Sequence, residues 1–331
     1  MKLLLYTGGR SLVEKSGIGR AIAHQEQAFA AGGLDYTENA KDAYTEIHLN
    51  TVFPDSLWMA RKARKQGKRV IYHGHSTRED FRNSFVGSNL LAPLFGKWLR
   101  LCYNSADQVV TPTPYAARLL GTYGLKSSVE VISNGVDTSF FCREKGDGAR
   151  FRRAFGLAEE QPVVMSVGLP IARKGILDFL ALAERFPQVT FFWFGALTGA
   201  LLPPRIKHAL QQAPDNVRFP GYVGRETLRD AYAGSDLFLF LTKEETEGIV
   251  VLEALSMKIP VLIRDIPVYD GWLEHGVNVY KSSSLAVSYT HLCSCVSFSL
   301  SSATSLPALS RWAEREVKSS RCRFTDRRPR A

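Results

Sequence analysis

The chain has 331 residues, 45% of them hydrophobic and 22% charged, with five cysteines and a formal net charge of +10 at pH 7. Such a length suits two domains and the composition an ordinary soluble protein, and no apolar run approaches the ~20 residues of a membrane span. The charge does not indicate nucleic acid: residues 282–331 hold eight Lys/Arg against three Asp/Glu, which accounts for +5, and the other +5 is spread over residues 1–281.

Met1-Lys2-Leu3-Leu4-Leu5-Tyr6 is too short for a signal peptide's apolar region and reads as a first strand. Short apolar runs then alternate with amphipathic segments. Strands are predicted at 2–6, 46–49, 69–73, 108–111 and 129–132, with helices at 18–31, 55–66, 89–103 and 114–123 between them. Asn134-Gly135-Val136-Asp137 interrupts the pattern with turn residues. It resumes with strands at 163–167, 190–194, 217–219, 237–241, 260–263 and 277–280 and helices at 175–186, 205–212, 226–233 and 249–257. The alternation predicts an α/β chain of two doubly wound domains, 1–137 and 138–281, with ligands at the strands' carboxyl ends in the cleft between them. The cysteines have neither metal-ligand nor disulfide-framework spacing, which fits a reducing cytoplasm.

Chemistry-bearing residues fall at those strand ends. Ser16-Gly17-Ile18-Gly19 precedes the first helix, where glycine lets a ligand approach backbone amides; a plain helix-entry turn is the alternative. Eight residues separate Gly8 from Gly17, and no Tyr is followed four residues later by Lys, which argues against a hydride-transferring short-chain dehydrogenase. His73-Gly74-His75 ends the third strand without a third metal ligand nearby, so a hydrogen-bonding role is expected rather than metal binding. Arg173-Lys174-Gly175 opens a helix, where the dipole disfavours positive charge unless an anionic diphosphate lies there. Glu244, Glu245 and Glu247 crowd the turn before the helix that begins with Gly248-Ile249. Glu253 lies inside its apolar run, where a buried carboxylate needs partners. Capping and dipole complementarity are the plain reading of the turn; a nucleotide-sugar site, with carboxylates gripping hydroxyls, is the functional one.

In order and type these features resemble the family-4 retaining glycosyltransferases, from Met1 to about Lys281. Within that family they resemble the Gram-positive enzymes that add a hexose to diacylglycerol. The resemblance to that subgroup rests on Tyr72-His73-Gly74-His75-Ser76-Thr77-Arg78-Glu79-Asp80-Phe81-Arg82-Asn83-Ser84-Phe85, on the segment from Glu244 to Leu255, and on Arg264-Asp265-Ile266-Pro267-Val268-Tyr269. It implies a GT-B fold and transfer with retention from a UDP-sugar, UDP-glucose or UDP-galactose, to a diacylglycerol-type lipid. Glu245 would bind donor-sugar hydroxyls and Glu253 the ribose. Arg173 and Lys174 would hold the diphosphate, with amides at Gly248, Ile249 and Gly17 completing the anion site. His75, with His73 as the alternate, would contact the transferred sugar. The chain has no Asp-any-Asp triplet, so metal-independent chemistry without a cofactor is implied. Transfer to a polysaccharide or teichoic-acid precursor, and a donor-binding but inactive subunit, are the alternatives.

The pattern departs from the family in two places. Leu169 stands where many members carry Arg, with Arg173 available to supply the charge, and Glu245-Thr246-Glu247-Gly248 replaces Glu-Gly-Phe-Gly. A lipid acceptor implies peripheral attachment to an anionic membrane, on the cytoplasmic face. The apolar, basic-flanked stretch 84–100, with Arg82, Phe85, Phe95 and Trp98, is the candidate surface beside the basic run 61–69. A buried core helix, and the solvated end of a helix for the basic run, are the alternatives. From Ser282 the text turns Ser-rich and then Arg-rich, with no evident continuation of the alternation. Residues 282–331 read as a frameshift or joining artefact, or else a disordered basic tail, leaving the second domain incomplete.

Overall fold

The computed structural model describes residues 2–196 and 201–292. The first domain carries β1 (Leu3–Tyr6), α1 (Arg10–Val13), α2 (Gly17–Ala31), β2 (Tyr36–Thr37), β3 (Glu46–Leu49), α3 (Pro54–Lys65), β4 (Arg69–His73), α4 (Arg78–Phe81), α5 (Ser88–Tyr103), β5 (Gln108–Thr111), α6 (Pro114–Gly121) and β6 (Ser128–Val131). The second carries α7 (Gly148–Ala154), β7 (Val163–Val167), α8 (Ile176–Arg185), β8 (Thr190–Phe194), α9 (Pro204–Gln211), β9 (Val217–Gly221), α10 (Arg225–Gly234), β10 (Leu237–Phe240), α11 (Ile249–Ser256), β11 (Val261–Arg264) and β12 (Tyr280–Ser282).

Each domain is built on a six-stranded parallel sheet, ordered β2-β1-β3-β4-β5-β6 and β12-β11-β10-β7-β8-β9. The strands predicted from continuous apolar runs form with at most small shifts at their ends, because a parallel sheet covered by helices buries both faces. Every side chain of β3, β8 and β10 is buried. The elements that escaped prediction lack that signal. β2 is a two-residue edge strand, and α4 is a single turn inside the Tyr72–Phe85 motif, capped by Thr77. The last strand forms three residues later than expected. Residues 276–279 make a turn closed by Gly276 N donating to Val279 O at 2.9 Å, while Asn278 Oδ1 accepts from Glu274 N at 2.7 Å.

The alternation continues past Ser282. A helical segment at 285–292 packs on the second domain, with Leu292 buried and the Phe186 and Tyr289 rings 4.9 Å apart. Sequence reading saw no such element because the segment's apolar side chains are interleaved with Ser and Thr. The rest of the tail, 293–331, lies outside the described residues.

Candidate active site

The acidic turn follows β10. Gly248, N-cap of α11, sits at φ 88°, and a Cβ there would lie 3.1 Å from the Tyr269 hydroxyl, so conformation and space both favour glycine. No side chain caps this helix, whose first residue is Ile249, so the described residues leave its N-terminal dipole without a side-chain partner.

Each carboxylate of the turn meets a different group. Glu244 accepts from Tyr115 Oη at 2.9 Å and 3.0 Å, and burial together with nearby carboxylates pushes it up to about 7 despite that bond. Glu245 is buried, pairs with Lys174 Nζ and accepts from Thr242 Oγ1 at 2.8 Å; burial raises its pKa, but Lys174 and Arg173 outweigh that and hold it below the usual range. Glu247 accepts from Ser133 Oγ and from Asn134 Nδ2 at 2.7 Å, and so ties the turn to the segment that follows β6. Glu253 is 1% exposed. Its partners are Arg20 Nε of α2 at 3.3 Å and the Tyr232 hydroxyl at 3.3 Å, both long, and Oε1 has no hydrogen bond among the described residues.

Arg173 and Lys174 stand beside this turn. Gly175 after them has φ 82°, and a Cβ there would come within 2.2 Å of Leu241 O, which seats the helix start against β10. Arg173 Nη1 lies 2.6 Å from Asp80 Oδ1 of the first domain, 3.7 Å from Glu245 Oε1 and donates to Glu244 O at 2.8 Å. The unfavourable position of two cations at a helix start is therefore relieved within the chain by Glu245 and Asp80. The helix-dipole argument alone no longer calls for a phosphate.

The histidines form a partly buried ladder across the first sheet. Arg69 pairs with Glu46 at 3.2 Å, and Glu46 lies 2.9 Å from His48 Nε2. His48 Nδ1 is 3.0 Å from His73 Nε2, and the Gln25 amide nitrogen serves both, at 3.3 Å and 2.7 Å. Asn50 Nδ2 donates to Gln25 Oε1 at 2.9 Å, which leaves Asn50 Oδ1 to accept from His75 Nε2 at 3.0 Å. This order requires the proton of neutral His75 on Nε2 and leaves Nδ1 as its acceptor. Burial lowers His75 to about 4, so it is neutral at pH 7. His73 is consumed within the ladder, whereas His75 is its terminus.

Residues that sequence reading passed over complete the site. Arg20, His24 and Gln25, on α2, reach Glu253, Gly135 O (3.0 Å) and the ladder respectively. Their one advance signal was the i, i+4 spacing of Arg20 and His24. Gly17 starts this helix after Ser16, which caps Ile18 N at 3.2 Å. A Cβ on Gly17 would meet nothing within 4 Å, which leaves open space there. On α5 the structure differs from the expected surface. Trp98 Nε1 donates to Val52 O at 2.6 Å, Phe95 stacks on Phe81 at 4.3 Å and Phe85 is half-buried, so the aromatics serve packing. The exposed leucines are instead Leu90 (83%), Leu91, Leu94 (62%) and, near the helix end, Leu101, with Val86 just before the helix; Arg82 is exposed. Among the described residues no helix is long and apolar enough to cross a membrane, and no group of three or more His, Cys, Asp and Glu could hold a metal ion.

Comparison with known proteins places these features in a family. Residues 37–140 match the Glycosyltransferase Family 4 model and residues 147–286 the glycosyl transferases group 1 model. The chain is 43% identical over 282 residues to the processive diacylglycerol alpha-glucosyltransferase of Acholeplasma laidlawii, covering 85% of this chain and 84% of that protein. It is 29% identical to the alpha-galactosylglucosyldiacylglycerol synthase of Streptococcus pneumoniae, covering 78% of this chain and 70% of that one. In fold it superposes on Anabaena Alr3699/HepE, solved in complex with UDP and glucose, with TM-score 0.70 and 17% identity over 96% of this chain and 95% of that one. The chain is a glycosyltransferase of the GT-B fold and belongs to family 4.

Proposed function

We propose that this glycosyltransferase moves glucose from UDP-glucose to diacylglycerol, or to its monoglucosyl form, at a membrane surface. The observation that carries the reading is the 43% identity, spanning 85% of the chain, to a diacylglycerol glucosyltransferase. The site supports the same chemistry. Arg173, Lys174 and the uncapped start of α11 at Gly248 and Ile249 suit a diphosphate, Glu245 the sugar hydroxyls, Glu253 the ribose, and His75 Nδ1 a donor-sugar hydroxyl.

In the transfer, the bond from the anomeric carbon to the UDP oxygen breaks with its electron pair going to the leaving phosphate. The acceptor hydroxyl oxygen bonds to that carbon on the same face, and its proton passes to the phosphate oxygen. Arg173 and Lys174 supply the charge stabilisation in place of a divalent cation, and turnover in EDTA is expected to equal turnover without it.

For the acceptor we propose peripheral binding to an anionic bilayer on the cytoplasmic face of the plasma membrane. The exposed leucines of α5 and the exposed Arg61, Lys62, Arg64 and Lys65 of α3 lie on two helices whose buried sides share one core cluster of the first domain. The deciding assay incubates the chain with labelled UDP-glucose or UDP-galactose and with diacylglycerol or monoglucosyldiacylglycerol. Label from UDP-glucose in the lipid fraction is expected. Label that reaches neither lipid refutes the reading, and label from UDP-galactose alone reassigns the donor.

A further inference from the structure

His75 accounts for only part of the Tyr72–Phe85 motif. Two other polar members, Asp80 and Ser84, reach across the cleft to Arg173. They belong to one tied turn: Asp80 N donates to Thr77 Oγ1 at 3.0 Å, and Ser84 Oγ donates to Asp80 O at 2.9 Å. Between them Asn83 takes φ 56°, a left-handed conformation that Asn tolerates, and its carbonyl accepts from Arg173 N at 3.2 Å. Arg173 Nε donates to Ser84 Oγ at 3.0 Å, while Nη1 meets Asp80 Oδ1 at 2.6 Å and Glu244 O at 2.8 Å. These contacts commit Nε–H and one Nη1 hydrogen, and place the Asp80 carboxylate in ionic contact with Nη1. Among the described residues Nη2 has no hydrogen-bond partner.

We propose that Asp80 and Ser84 are positioning residues that fix the guanidinium plane of Arg173 and keep its Nη2 edge for the donor diphosphate. The loop of the acceptor-side domain then sets the cation that stabilises the leaving group in the other domain. The proposal rests on the reading of Arg173 as that cation. A competing role for Asp80, that of a counter-charge displaced by the diphosphate, makes the opposite prediction: its removal would strengthen UDP binding. Burial raises Asp80 above its usual range, with Arg173 opposing and Glu245 adding to the shift. The Arg173 guanidinium, and after it Lys174, thus offset the cost of holding that carboxylate charged.

The test uses full-length D80N, S84A, R173K and D80N/R173K. Transfer from UDP-glucose to dioleoylglycerol in mixed micelles is measured alongside UDP affinity by calorimetry. D80N is expected to lower kcat by about 10- to 100-fold, the cost of a misplaced reacting group, with UDP affinity within about twofold of the parent. S84A falls in the same direction by less. On the R173K background D80N adds little, because the side chain it positions is gone. Tighter UDP binding by D80N with kcat kept, or a full D80N penalty on R173K, overturns the proposal. An R173K enzyme with unchanged UDP affinity and kcat sinks the reading of Arg173 itself, whatever D80N does. Should D80N fail to fold by circular dichroism, the S84A and S84A/R173K pair decides by the same criteria.

Discussion

Replacing Glu253 by Gln removes a charge that the fold holds at a cost, and its surroundings set the size of that cost. Burial pushes Glu253 up to about 7 from an ordinary 4.5, with Arg20, Tyr232 and Arg225 only partly offsetting it. The folded pKa lies above the unfolded one. Below about pH 4.5 the carboxyl is protonated in both states and there is no penalty; the penalty grows between 4.5 and 7 and is complete above that. At ~1.4 kcal/mol per pKa unit the full penalty is about 3 kcal/mol. Gln mimics the protonated form, so E253Q is expected to stabilise the ligand-free protein by up to about 3 kcal/mol at pH 8 and by under about 1 kcal/mol at pH 5. Urea denaturation of both proteins at the two pH values measures this. Glu244, also pushed to about 7, titrates in both proteins and cancels in the difference. Ribose hydroxyls donating to the ionised carboxylate would pull its pKa down. UDP-glucose binding near pH 6.5 should then release a proton in the parent and not in E253Q. E253Q should also bind about 10-fold more weakly at pH 8, as expected for losing hydrogen bonds to a charged group. A stability difference that does not change with pH, or proton release retained by E253Q, refutes the reasoning.

Asn50→Asp keeps an acceptor for His75 Nε2 at the position where Asn50 Oδ1 lies 3.0 Å away, but makes it anionic. The carboxylate raises the His75 pKa, so the acidic limb of the kcat profile should move to higher pH, while Asn50→Ala lowers kcat without moving the limb. Leu90→Glu/Leu94→Glu changes two exposed side chains that pack against nothing in the core. It should leave UDP affinity intact and abolish salt-sensitive flotation with phosphatidylglycerol vesicles, and undiminished flotation would place the membrane contact elsewhere.

The parts of this fold legible in the sequence are those whose burial is two-sided. A run such as Thr190-Phe191-Phe192-Trp193-Phe194 has no polar face to offer water, and only a covered parallel strand accommodates it. α4 and β2 were illegible because they are held by long-range packing and caps rather than by periodicity. The donor-side carboxylates stood out for the same reason the strands did, since Glu253 is an exception within an apolar run. Their partners did not. Nothing local to Gln25 or Asn50 marks them as cleft residues, and the spacing of Arg20 and the motif around Asp80 did not reveal their partners, because each acquires its role from a residue distant in sequence.

Those partners share one property. Tyr115 holds Glu244, Arg20 holds Glu253, Ser133 and Asn134 hold Glu247, and Asp80 holds the Arg173 that neighbours Glu245. Glu244, Glu247 and Glu253 are thus each held in part by the first domain or the segment leaving it, whereas Glu245 is held directly by Lys174 and Thr242 of its own domain. A buried charge that loses its partner costs several kcal/mol, so separating the domains would take one partner each from Glu244, Glu253 and Arg173 unless water or a ligand replaced the lost contacts. Under the proposed function a nucleotide-sugar would carry replacements, a hydroxyl for Glu253 and an anion for Arg173. Glu247 alone has partners in the connecting segment itself, and can keep them when the domains part.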